Sequence, residues 1–64
     1  MTIVEAFREL TSRRCWYKPH GITRQRAHDV TAADRRGKLS DVTRRTILEQ
    51  CGWTCSEEWR DASI

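Results

Sequence analysis

A chain of 64 residues holds one domain, because at this size only about 60% of the unfolded surface is buried on folding; two separate cores are excluded and a deep catalytic pocket is disfavoured. The net charge of +3 is unevenly spread: residues 8–45 carry eleven basic and four acidic side chains, whereas residues 46–64 carry one basic and four acidic. No stretch nears the roughly 20 apolar residues of a membrane span, the start lacks a basic run before an apolar one, and an odd set of three cysteines speaks against a disulfide framework; a cytoplasmic protein with no membrane partner is expected.

Thr2 opens the first helix as N-cap, with Glu5 in its first turn and Ile3, Ala6, Phe7 and Leu10 spaced by three and four. This predicts a helix over 2–12 with its apolar stripe in the core and Val4 at the edge. Pro19 interrupts the next stretch. It disfavours helical geometry at Lys18 and costs about 3 kcal/mol inside a helix beyond the first turn, so any helix here ends before Lys18. Trp16 is assigned to the core, and Gly21 to a turn that needs positive φ.

Thr23 caps a second helix over 24–35, with Ala27, Val30 and Ala33 inward and Arg24, Gln25, Arg26 and Asp29 outward. Arg35 and Arg36 stand at the negative end of its dipole and Gly37 supplies a left-handed cap. Ser40 caps a third helix over 41–51, which buries Ile47, Leu48 and Cys51 and stops at Gly52. Val42 falls on its other side, against the Leu39 loop or a partner. The tail, 53–64, reads either as a short helix capped by Ser56 or as an extended arm whose tryptophans pack back, with 61–64 frayed. The expected fold class is all-α, a compact three- to four-helix bundle.

Nine of the eleven central cations are arginine, whose planar fork suits phosphate oxygens and guanine edges. A polyanionic partner is expected from that choice of residue. The run from Trp16 to Val30, with Gly37-Lys38 and Ile47-Leu48…Gly52 after it, resembles the Cro/C1-type helix-turn-helix of small phage and bacterial regulators. Gly21, Ile22 and Thr23 match the turn of that motif, Ala27 and Val30 its inward positions, and Gly37-Lys38 the close of its recognition helix. The chain departs from the pattern at Tyr17, Pro19 and His20.

The resemblance implies a sequence-specific DNA-binding protein, a transcriptional regulator of the phage or mobile-element kind, with double-stranded DNA as partner. It implies that Thr23 caps the helix or meets a phosphate, and that Arg24, Gln25 and Arg26 reach bases or backbone. Lys18, Arg35, Arg36 and Lys38 complete the DNA-binding set. So small a module needs a homodimer or a protein partner for useful specificity.

The rival reading is a protein-interaction module docking a host protein through the basic face, which three tryptophans and many arginines would suit. RNA binding is a third. Cys15, His20, Cys51 and Cys55 are of zinc-ligating type, but Cys51 and Cys55 straddle a helix-ending glycine and no second pair stands at zinc-like spacing. No metal and no cofactor are expected. No Ser/His/Asp set, paired carboxylates or phosphate-cradling glycine loop is recognisable, so catalysis is not expected either.

Overall fold

The computed structural model describes residues 1–62. Three helices come first, α1 (Ile3–Thr11), α2 (Arg24–Arg35) and α3 (Asp41–Gln50), with a single 3-10 turn at Lys18–His20 between the first two. Two short strands follow, β1 (Trp53–Cys55) and β2 (Trp59–Asp61), paired antiparallel with Trp53 opposite Asp61 and Cys55 opposite Trp59. The fold is therefore a small mixed α/β one, and the all-α, three- to four-helix expectation is corrected by this hairpin.

Each α-helix starts where a side-chain oxygen satisfies an amide that the helix itself cannot. Thr2 accepts from the Glu5 amide at 3.2 Å while the Glu5 carboxylate accepts from the Thr2 amide at 2.9 Å, a reciprocal capping box. Thr23 accepts from the Arg26 amide and Ser40 from the Thr43 amide. The end of α2 is a Schellman arrangement: Lys38 N–H donates to Ala33 C=O, Gly37 N–H to Asp34 C=O, and Gly37 sits at φ 67°.

Pro19 does not end the helical geometry before Lys18. The 3-10 turn begins at Lys18 and holds Pro19 in its first turn, where the missing N–H is not needed. Gly21, at φ 73°, closes it, and the His20 carbonyl accepts from the Gln50 side chain at 3.1 Å, tying the turn to the end of α3. The stretch where the chain departs from the motif, before Gly21, holds no α-helix: residues 12–17 are turns and a bend.

One core joins all the elements. Ala6, Phe7 and Leu10 of α1 meet Ile47, Leu48 and Cys51 from α3 and its C-cap, with Trp16, Ile22, Ala27 and Val30 from the α2 side and Trp53 and Trp59 from the hairpin. The tail is an arm that packs back, but as a hairpin. Residues 61 and 62 are not frayed: Asp61 lies in β2 and its carboxylate takes Arg13 at 2.6 Å, and Ala62 N–H donates to Gly52 C=O at 3.0 Å. The expected fraying of Ser63 and Ile64 falls outside the described residues. No helix among the described residues is long and apolar enough to cross a membrane.

The α2 stripe also differs from its expected course. Ala27, Val30 and Asp34 are its buried residues, while Ala33 is half-buried. An aspartate can occupy that place because Arg44 of α3, also buried, donates to Asp34 Oδ1 from Nε at 3.0 Å and from Nη2 at 2.9 Å, and to Asp41 from Nη1 at 2.8 Å. Arg8 of α1 stands 3.8 Å from the other Asp34 oxygen. Thus the Asp34 carboxylate ties α2 to α3, with the exposed Arg8 of α1 at its outer edge.

Candidate nucleic-acid interface

The eleven cations of residues 8–45 sort into two groups. Arg8, Arg13, Arg44 and Arg45 are committed to Asp34, Asp61, Asp34 with Asp41, and Glu49 respectively. Arg14, Lys18, Arg24, Arg26, Arg35, Arg36 and Lys38 are all exposed, and among the described residues none has a carboxylate within 4.0 Å. Six of these seven are the cations read as DNA-contacting from the sequence. Arg14 is the addition, standing in the loop next to the committed Arg13.

Helix α2 sets the arrangement. With 12 residues it is about 18 Å long, so the expected site divides into two clusters at its ends. Thr23, Arg24, Gln25 and Arg26 stand at the N-terminal end, where the amides carry partial positive charge, and Lys18 precedes them in the 3-10 turn. Arg35, Arg36 and Lys38 gather at the other. Thr23 is engaged as the N-cap, so its hydroxyl already accepts from Arg26 N–H. Gln25 is not free either: its Nε2 donates to Asp29 Oδ1 at 2.9 Å, one turn along.

Around the helix the sorting is equally clear. At 3.6 residues per turn, Gln25, Asp29 and Arg36 point away from the buried Ala27, Val30 and Asp34. Arg24, His28 and Arg35 lie along one flank and Arg26 on the opposite flank. The first flank borders a shallow groove of about 350 Å³ whose far wall includes Cys15 and Tyr17. Arg13 also lines this groove, reaching from Asp61 to the face of the Trp53 ring, 5.4 Å from its centroid.

Arg44 is the one cation of this stretch that leaves the surface, with 7% of the residue exposed. Burial disfavours its charge, but the hydrogen bonds to Asp34 and then Asp41 outweigh that and hold the guanidinium above its already high value. The thiols are all free. Cys51 is in the core, where burial and then Asp61 push its thiol up, away from thiolate chemistry, whereas Cys55 is exposed and Cys15 half-buried. Among the described residues no three His, Cys, Asp or Glu side chains are placed to hold a metal ion.

A second groove, of about 540 Å³, lies between the chain start, the first turn of α3 and the hairpin, and shares no lining residue with the first. Val42 is on it and is 76% exposed, so it does not pack into the domain. Glu57 and Glu58 line this groove, which has no lining residue from α2. Comparison of the chain with family models, with curated proteins and with solved structures gives no match.

Proposed function

We propose that the protein binds double-stranded DNA through α2 and the residues that flank it, and that it reads sequence there. The observation that supports this is the local concentration of exposed cations: Lys18, Arg24, Arg26, Arg35, Arg36 and Lys38 stand on or next to α2 and have no carboxylate within 4.0 Å among the described residues. Arg13 and Arg44, by contrast, are held by Asp61 and Asp34, and of the hairpin's own residues Arg60 alone is an exposed cation without an ion pair. Arginines left without partners on one helix form a field that phosphates would fill. Occupying a site on DNA is the chemistry of a regulator of transcription, and the cytoplasm is the compartment in which such a ligand meets reduced thiols. A module of this size makes few base contacts, so tight binding requires a second copy on a two-fold site or a partner protein.

Binding of a generic duplex, followed from low to physiological salt, tests the reading. The affinity should fall steeply, with a slope of about −0.9 for each phosphate engaged, and Arg24→Ala with Arg26→Ala should weaken binding and flatten the slope by roughly two such steps. A flat salt dependence would remove the proposal. Amide shifts induced by DNA should cluster at residues 23–36; silence there, with an acidic protein producing the shifts instead, would favour the docking-module reading.

A further inference from the structure

Asp29 is the one acidic residue exposed on α2, the other, Asp34, being buried. It faces outward with Gln25 and, at the far end of the helix, Arg36, between a flank that carries Arg24, His28 and Arg35 and one that carries Arg26, and it accepts a hydrogen bond from Gln25 Nε2. Its place is unexpected for a surface that only collects phosphates, because a carboxylate repels them. As a stabiliser of the helix it contributes little, since a solvent-exposed i,i+4 pair is weak.

Resting on the DNA-binding reading, we infer that Gln25 and Asp29 form the base-reading unit of the protein, and that it selects exocyclic amino groups, that of cytosine first and of adenine second. The flanks fix the pose. Arg24 and Arg35 are eleven residues apart, about 16 Å along the axis, and with His28 between them they make a row that no single small anion can span but a phosphate strand can. Arg26, on the opposite flank, meets the other strand. A helix with cations on both flanks fits the major groove, about 12 Å wide, with its outward face over the base edges. Asp29 then sits as far from phosphates as the helix allows.

The chemistry of the pair is set by its hydrogen bond. One Asp29 oxygen is occupied by Gln25 and the second remains an acceptor, which suits the N4 amino group of cytosine and meets repulsion from guanine O6 or thymine O4. Gln25 keeps its carbonyl and one N–H for a neighbouring adenine, whose major-groove edge offers a donor and an acceptor. His28 has a ring N–H to donate to phosphate even when neutral.

Selection from a randomised duplex pool, about two helical turns long, distinguishes the roles. The unaltered protein should enrich a motif containing a cytosine or adenine that Asp29→Asn no longer requires, with a preference on the order of tenfold at that position lost and affinity for generic duplex raised. Arg35→Gln should enrich the same motif as the unaltered protein while its salt slope drops by about 0.9. Both residues are exposed and outside every ion pair among the described residues, so folding survives either change, as circular dichroism will verify. An unchanged motif for Asp29→Asn, or an unchanged slope for Arg35→Gln, overturns the inference and leaves DNA binding standing; no binding to any duplex overturns both.

Discussion

Removing the Asp34 carboxylate would leave the Arg44 guanidinium buried without its main acceptor. Losing one partner of a buried pair costs about 3 kcal/mol or more, against a total stability of roughly 3–10 kcal/mol for a domain this size. Asp34→Ala should therefore be largely unfolded near 37 °C in urea or thermal melts, while Asp34→Asn, which keeps an acceptor oxygen, should lose less. This pair was not legible in the sequence. Ala33 and Asp34 compete for the same inward position, and hydropathy alone chooses the alanine. Only the arrival of Arg44 from another helix makes the aspartate the better fit. For the same reason Arg44 enters the charge tally of residues 8–45 like any other cation, since nothing in its neighbours marks it as internal.

The helices themselves depend on short-range signals. Thr2, Thr23 and Ser40 are hydroxyl residues just ahead of an apolar rhythm, and each accepts from the amide three residues on. At the first of them, Glu5 is held below its ordinary value of 4.5, chiefly by the Thr2 amide and then by the Thr2 side chain. A carboxyl depressed on folding contributes stability that is present above its unfolded value and is lost as pH falls through its folded one. The stability difference between the unaltered protein and Glu5→Gln should accordingly shrink as pH falls below about 4.5, read from urea midpoints across that range. A difference constant with pH would show that the charge contributes nothing to the cap.

The hairpin is the element that local signals do not disclose. Its strands are three residues each, too short for a period of two to stand out, and Ser56-Glu57-Glu58 reads equally well as a helix start. A lone two-stranded hairpin is marginal in water. This one persists because Trp53 and Trp59, 2% and 8% exposed, are inserted between it and the helices, and because Trp59 N–H donates to the Met1 carbonyl across the start of α1.

Across the whole molecule the two tryptophans belong to the same core as Phe7 and Leu48, and each buried large side chain of this kind is worth about 3–5 kcal/mol on truncation to alanine. A chain ending at Gly52 should thus lose its sharp thermal transition and expose Phe7 and Leu48 to solvent. A cooperative melt from that fragment would show instead that the helices make a sufficient core by themselves. The hairpin also decides where charge is displayed: Asp61 removes Arg13 from the free set, and Glu57 and Glu58 line the second groove, which includes no residue of α2.

Local sequence was enough to place the start of each helix, the left-handed turns at Gly21 and Gly37, and the excess of arginine around α2. These depend on residues within a few positions of one another, where side-chain oxygens, glycine dihedrals and helical spacing act directly. Long-range packing was needed to settle which arginines remain exposed, that an aspartate completes the inner face of α2, and that the last segment folds as strands. Those outcomes depend on groups from distant parts of the chain meeting at van der Waals or hydrogen-bond distance, and no local pattern encodes the meeting.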